Sequence, residues 1–335
     1  MSRGFLTKAF AVLTATSLFA LAGCGGDDAS SSSAGGGAGD MKIGYFISGT
    51  NNSYVQTNVN AAKETAEKLG VDLEVISGNW DSATQINQFQ TAMTRKTYNT
   101  WIVAAVAPDQ ACAPIRQAMA QGIKVFVSNQ SLCGDATFTE GTMGFVGGQT
   151  PELYDAWMDA IVEDNPDGGK LALLTGPNLN ANTNNALAAL KDKVESNSAF
   201  DVVSNQQSDY TTASAYDVAQ AVLQANPDLK IYVTNYAEMT KGVVQAIEAA
   251  GKTGQVKVYD YGANEWIVDA IKDGKVTMSL PMLPYTEVAK SVELTVDAYE
   301  GKDIPESFDL SSELTFDGAP FVTADNVDQF KAEFK

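Results

Sequence analysis

Lys42-Ile43-Gly44-Tyr45-Phe46-Ile47, then Thr50-Asn51-Asn52-Ser53-Tyr54, then Val55, Val59, Ala62, Ala66 and Leu69 ahead of Gly70, form the stretch from which the rest of the chain can be read. The first run is short, apolar and rich in aromatic and β-branched residues, as a buried strand is. The last set recurs at spacings of four, three, four and three, which is the stripe of an amphipathic helix. Gly70 stands where such a helix ends on a left-handed residue, and Ser53 is the expected N-cap. The polar loop between strand and helix falls where an α/β sheet keeps its ligands, beyond the carboxyl ends of the strands. It offers two carboxamides, a phenol and free helix N–H groups to one small polar solute.

The alternation continues to the end of the chain. Strand-like runs occur at 73–76, 101–106, 124–128 and 143–146, and a second series at 170–175, 202–205, 230–234, 257–261 and 276–280. Helical patterns fill the gaps, several closed by glycine at Gly70, Gly122, Gly251 and Gly274. Strands alternating with helices predict parallel sheets with right-handed crossovers, and two series predict two similar α/β lobes. A length of 335 residues suits two lobes better than one core. No shorter repeat points to a solenoid.

Composition removes several functions. The hydrophobic fraction is 44% and the formal net charge −19; mean hydropathy is −0.12. Without residues 1–23, which carry Arg3 and Lys8 and no acid, the charge is −21. So acidic a chain, with no basic patch, is not expected to bind nucleic acid. It contains no histidine, which excludes Ser-His-Asp and Cys-His catalysis and any His-ligated metal site. Neither a metal nor a cofactor is expected.

The first 23 residues read as an address. A positive n-region with Arg3 and Lys8 precedes an apolar run over 9–20, too short to span a bilayer. The run ends in Leu21-Ala22-Gly23-Cys24, which resembles a bacterial lipobox; the competing reading is an ordinary secretory signal with a chance cysteine. The lipobox implies cleavage before Cys24, lipid on its thiol, and a place outside the cytoplasmic membrane. Residues 24–40, a Ser/Gly/Ala tract with Asp27 and Asp28, read as a flexible tether. In that oxidising location Cys112 and Cys133 are an even pair. A structural disulfide is favoured over a functional thiol pair, because no C-x-x-C or activating cation accompanies them.

From Met41 onward the chain resembles type I periplasmic binding proteins of the ribose-binding, sugar-transport branch. The resemblance is carried by Thr50-Asn51-Asn52-Ser53-Tyr54, Asn79-Trp80-Asp81, Val106-Ala107-Pro108-Asp109 and Val125-Phe126-Val127-Ser128-Asn129. In the second half Leu174-Thr175-Gly176, Thr234-Asn235, Tyr259-Asp260-Tyr261-Gly262 and Leu283-Pro284-Tyr285 carry it. It implies two Rossmann-like lobes, 41–146 with 284–313 and 147–283 with 314–335, joined by a three-strand hinge near Gly147-Gly148, Met282-Leu283 and 313–321. A helix over 287–299 would return to the first lobe. Repressors of the same fold carry an N-terminal DNA-binding domain; here the lipobox and tether stand in its place.

The resemblance also implies the site. Asn52 and Tyr54 match positions that bind and stack on a sugar, Tyr210 matches the opposing aromatic, and Trp80 falls in a loop that often lines the cleft. Asn235 matches a ligand-binding asparagine, and either Asp260 or Tyr261 an acceptor, with Asp260 favoured because a carboxylate can accept from two vicinal hydroxyls. Four positions depart from the family. Its Asp-Arg pair reads Asn129-Gln130, a second arginine falls at Asn184, and the hinge-side glutamine falls at Met282. The only arginines are Arg3, Arg95 and Arg116, so acidic ligands, which bidentate arginine would hold, are disfavoured. The implied function is delivery of a neutral sugar or polyol to the permease of an ABC importer by a monomeric, lipid-anchored protein that is not an enzyme. The alternative is a sensor for a furanose-like signal, a nucleoside or an amine-bearing solute, the last drawing on Glu238 and Glu265 beside Asp260.

Overall fold

A computed structural model describes residues 40–177 and 181–335. The leader, Cys24 and the tether up to residue 39 lie outside the described residues, as do Asn178 and Asn180 of the run Asn178, Asn180, Asn182, Asn184 and Asn185.

The first half starts with β1 (Lys42–Ile47), buried at every residue but Lys42, and α1 (Ser53–Leu69). The cap of α1 is Asn52, one residue earlier than expected. Its backbone is extended and its side chain accepts from the Val55 N–H at 3.0 Å. Gly70 closes the helix at φ 68°, a conformation that costs glycine little. Then follow β2 (Asp72–Ser77), α2 (Ser82–Arg95), β3 (Thr100–Val103), α3 (Pro108–Ala120), β4 (Lys124–Ser128) and β5 (Phe145–Gly147). Their sheet runs β2-β1-β3-β4-β5 and is extended past β5 by β11 (Ser307–Asp309), every pair parallel.

The second half repeats the plan. After α4 (Pro151–Asp164) come β6 (Gly169–Thr175), α5 (Ala181–Ala189), β7 (Phe200–Gln207), α6 (Thr212–Ala225), β8 (Ile231–Thr234) and α7 (Ala237–Ala249). β9 (Lys257–Gly262), α8 (Glu265–Lys272) and β10 (Met278–Pro281) complete it. The order β7-β6-β8-β9-β10 matches the first sheet, with β12 (Val322–Thr323) added antiparallel to β10. The α/β class and paired parallel sheets are those expected. α9 (Pro284–Tyr299) leaves the second sheet and packs on α1, β3, β4 and β5 of the first.

Two short edge strands, β11 and β12, had no counterpart in the pattern, since three and two residues carry too few side chains to show a period. The strand expected over 101–106 ends at Val103, and Ala104-Ala105-Val106 leave the ladder at the sheet's carboxyl edge. Trp101 and Trp157 are fully buried. In the first half Phe46 packs on Trp101 and Phe89 at 4.8 and 4.9 Å between centroids; in the second, Tyr154, Trp157 and Tyr261 form one cluster. Each such side chain, taken out of water, contributes roughly 1.5–3 kcal/mol.

Cys112 and Cys133 are joined, with Cα atoms 4.9 Å apart, tying α3 to the loop after β4 across 21 residues. Closing a loop of that size stabilises by about 3 kcal/mol. At the other end of the chain Glu333 accepts from the Tyr285 and Thr286 N–H groups at 2.7 and 3.1 Å, capping α9. Phe334 sets its ring edge-on to Tyr54 at 5.8 Å.

Candidate ligand-binding site

In both sheets the strand order reverses direction beside the first strand of the half, at β1/β3 and at β6/β8, which opens a crevice at the carboxyl ends. Loops from the two sheets meet there around a cavity of about 600 Å³, its open mouth included. Of the residues expected at the site, Asn52, Tyr54, Trp80, Asn129, Gln130, Tyr210 and Met282 line it.

Backbone geometry explains several of these placements. Trp80 and Tyr210 each occupy left-handed backbone, φ 60° and 64°, immediately before the N-caps Asp81 and Thr211 of α2 and α6. Each ring lies over a glycine. A Cβ on Gly49 would meet Trp80 Nε1 at 2.1 Å, and one on Gly176 would meet Tyr210 Cζ at 1.8 Å. Trp80 is 42% exposed at the mouth and donates to Asn51 Oδ1 at 2.5 Å. Tyr210 stands edge-on to Tyr236 at 5.5 Å.

Asn129, also left-handed at φ 73°, follows β4 and donates from Nδ2 to the Tyr54 hydroxyl oxygen at 2.7 Å. Tyr54 in turn donates to Glu287 Oε2 at 3.2 Å. Burial, with Glu287 beside it, holds the Tyr54 phenol well above its ordinary value. Burial likewise pushes the Glu287 carboxyl up to about 8, against the opposing pull of the Asn129 and Tyr54 hydrogen bonds. Gln130 reaches between the halves: its Nε2 donates to Gln149 Oε1 at 3.3 Å, and its Oε1 accepts from the Ala181 N–H at 3.0 Å.

Four expected residues are not brought to the cavity. Asp260 is fully inside the second half and accepts from the Ala263 N–H at 2.9 Å, the Ser279 hydroxyl at 2.5 Å and the Thr240 hydroxyl. Burial raises its carboxyl to about 6 while those three donors hold it down. Tyr261 is buried too, and its hydroxyl donates to the carbonyl of Gly148. Both sit within β9 rather than in the loop beyond it, and a strand covered on both faces points neither residue at the rim. Asn235 is completely buried behind Asn182, to which it donates at 2.7 Å. Asn184 is exposed and lines a separate hollow with Asp109, Ser131 and Asp135. On a helix two residues lie about 200° apart; with Asn182 on the cavity wall, Asn184 falls on the far side.

Sequence reading missed Asn58, Gln149, Asn182 and Tyr236 on the wall, and Glu287 behind it. The Asn58 carboxamide donates to the carbonyls of Tyr54 and Pro284 at 3.2 and 3.1 Å, fixing α1 against the start of α9. Asn182 was legible only as part of a run. Among the described residues no Asp, Glu, Lys or Arg side chain lines the cavity. Glu238 instead accepts from Thr212 at 3.0 Å and Asn264 at 3.4 Å, and half-buried Trp266 packs under Lys241 at 5.6 Å. Among the described residues no group of three or more carboxylates or thiols could hold a metal ion. Amides, phenols and an indole over an uncharged space can hydrogen-bond hydroxyls and cover an apolar ring face.

The family model described as a periplasmic binding protein domain matches residues 43–303. The ribose import binding protein of Salmonella typhimurium is 24% identical over 273 residues, covering 81% of this chain and 89% of that protein. Among solved structures, an ABC transporter solute binding protein from Bacillus halodurans with bound myo-inositol superposes with a TM-score of 0.77 at 22% identity, over 89% of this chain and 99% of that one. One from Mycobacterium smegmatis with bound glycerol gives 0.75 at 25% identity, over 88% and 99%.

Proposed function

The chain belongs to the periplasmic binding protein domain family, and on that premise we propose that it is the solute-binding component of an ABC importer, capturing a neutral sugar or polyol between its two sheets and presenting it to the permease. The observation that carries this reading is a cavity walled by Asn52, Asn129, Gln130, Tyr54, Tyr210 and Trp80, with no charged side chain lining it among the described residues. A carboxylate or phosphate ligand would have no cation to meet there, and an amine no acid. The relatives named for ribose and the structures holding myo-inositol and glycerol agree in ligand class.

In this reading the protein works outside the cytoplasmic membrane as a monomer, anchored by lipid on Cys24, where the Cys112–Cys133 bond is stable. It binds without turnover. Closure of the two halves over the ligand creates the surface the permease reads.

The test is a melting-temperature screen with D-ribose, D-allose, D-fructose, myo-inositol, glycerol and putrescine. A ligand at a hundred times its Kd stabilises by about 2.7 kcal/mol, so one neutral polyol should raise the melting temperature. A rise with putrescine alone would falsify the assignment.

A further inference from the structure

Behind the wall made by Tyr54 and Asn129 sits Glu287, in the first turn of α9. It is 2% exposed and outside the cavity lining. Its Oε2 accepts from the Tyr54 hydroxyl at 3.2 Å and from Asn129 Nδ2 at 3.4 Å, while that Nδ2 also donates to the Tyr54 oxygen at 2.7 Å. Its Oε1 is buried without a hydrogen-bond partner. The titratable groups acting on it are Tyr45 of β1, Tyr54 of α1, Tyr261 of β9 and Glu333 of the tail; Ser128 and Asn129 face it from the end of β4. None is a cation. On α9 itself, Lys290 turns to Glu293 and Glu313.

Those hydrogen bonds set what the wall can offer. Tyr54 has one hydroxyl hydrogen, and it is directed at Glu287. The amide nitrogen of Asn129 is directed at Tyr54 and Glu287. What remains for a ligand is acceptors: the Asn129 carbonyl oxygen and a lone pair of the Tyr54 oxygen.

We propose that Glu287 is a positioning residue for ligand binding: a buried, neutral carboxyl that turns the Tyr54–Asn129 wall into an acceptor surface for ligand hydroxyl hydrogens and makes capture depend on its own proton. The proposal rests on the sugar-or-polyol reading of the cavity. A charged carboxylate under that wall would lose its remaining hydration as the cavity fills, so binding favours the protonated form. Affinity is then highest below about pH 8, where burial has pushed this carboxyl, and falls by at most about tenfold per pH unit above it. The chain has no histidine, and Cys112 and Cys133 are bonded; the Cys24 thiol and the α-amino group, which ordinarily titrate in this range, are common to the wild type and Glu287→Gln, so the difference between those two profiles isolates Glu287.

Calorimetric titration of the purified protein with D-ribose, D-allose and myo-inositol, between about pH 6 and about pH 9.5, tests this on the wild type, Glu287→Gln and Glu287→Leu. The wild type should bind evenly up to about pH 8 and more weakly above. Glu287→Gln keeps an acceptor oxygen and cannot ionise, so it should match the wild type at low pH and show no alkaline loss. Glu287→Leu leaves the Tyr54 hydroxyl without its acceptor and the Asn129 amide with Tyr54 alone, and should bind at least about tenfold more weakly throughout. A wild-type profile identical to that of Glu287→Gln, or unchanged affinity in Glu287→Leu, overturns the proposal. If the wild type binds none of the three sugars, the sugar-or-polyol reading is what fails, and a ligand-free readout still decides on Glu287. In nitrogen-labelled protein the side-chain amide signals of Asn129, assigned by their loss in Asn129→Asp, should shift with a midpoint near pH 8 in the wild type and stay fixed in Glu287→Gln. Signals that move alike in both, or in neither, overturn the role given to this carboxyl.

Discussion

In the first half Trp80 lies over Gly49; in the second, Tyr210 lies over Gly176, each ring one residue ahead of a helix cap and on the same left-handed backbone. The strand orders β2-β1-β3-β4-β5 and β7-β6-β8-β9-β10 are also the same. The halves part company in their buried carboxyls. Asp260 receives three donors, from α7, β10 and the loop after β9, and works as a staple within its own half. Glu287 receives two donors on one oxygen, both from residues of the cavity wall, and its other oxygen has no partner. One scaffold thus places the same chemical group where it holds elements together and behind two residues of the cavity wall. What separates the two is the number and origin of the donors.

Breaking the staple should cause the largest loss of stability. Asp260→Ala strands the Ala263 N–H and the Ser279 hydroxyl, while the Thr240 hydroxyl keeps the Tyr236 carbonyl at 3.2 Å, which costs on the order of 3 kcal/mol of stability. Denaturant unfolding should show that loss while the folded fraction binds with unchanged affinity; weakened affinity at equal folded fraction would return Asp260 to the binding site. Glu287 should behave in the opposite sense. Its folded-state carboxyl stands at about 8 against an ordinary value of 4.5, so stability fully present below pH 4.5 is lost as pH rises toward 8, by up to about 1.4 kcal/mol per pH unit. Glu287→Gln should therefore be more stable than the wild type at pH 8, by roughly 4 kcal/mol, with the gap closing as pH falls. Parallel stability curves for the two proteins across that window would sink the idea.

The aromatic pair gives a smaller, graded contrast. Tyr210→Ala should weaken binding of the best sugar by about 2 kcal/mol, and Trp80→Ala, a partly exposed ring at the mouth, by about 1 kcal/mol or less. Calorimetry reading the reverse order would place the ligand against the first half. Asn184→Ala, on the outward side of α5, should change affinity and melting by less than about 0.5 kcal/mol.

The fold was legible because its signals are local and repeated: strand-type runs, helical stripes and glycine stops recur through residues 42–281. The cavity residues were legible where they sit in loops, as Asn52, Trp80, Asn129, Gln130 and Tyr210 do, or in the first turn after one, as Tyr54 does, since a loop at a strand's carboxyl end can face only the crevice or solvent. Within a strand or helix the reading lost direction. Asp260 and Asn184 show this: one faces into its half, and the other lies a half-turn from Asn182. Glu287 gave no local signal. An acid in a helix's first turn normally serves the dipole in solvent, and Val288, Val292 and Val296 mark only the centre of the buried face. That face is wide enough to take Glu287, Ser291 and Thr295 inside as well, a breadth set by how deeply α9 packs between α1 and the sheet.

The left-handed backbone at Trp80 and Tyr210 has an evolutionary consequence. A residue other than glycine or asparagine held there carries roughly 1 kcal/mol or more of strain; Lys96, Cys133 and Ala263 carry it too, but Trp80 and Tyr210 do so at equivalent points of the two halves. A search that selected only for thermal stability would therefore be drawn to glycine or asparagine at positions 80 and 210. It would improve the scaffold by stripping both rings from the cavity, so a gain in stability at these two positions would come at the expense of the cavity wall.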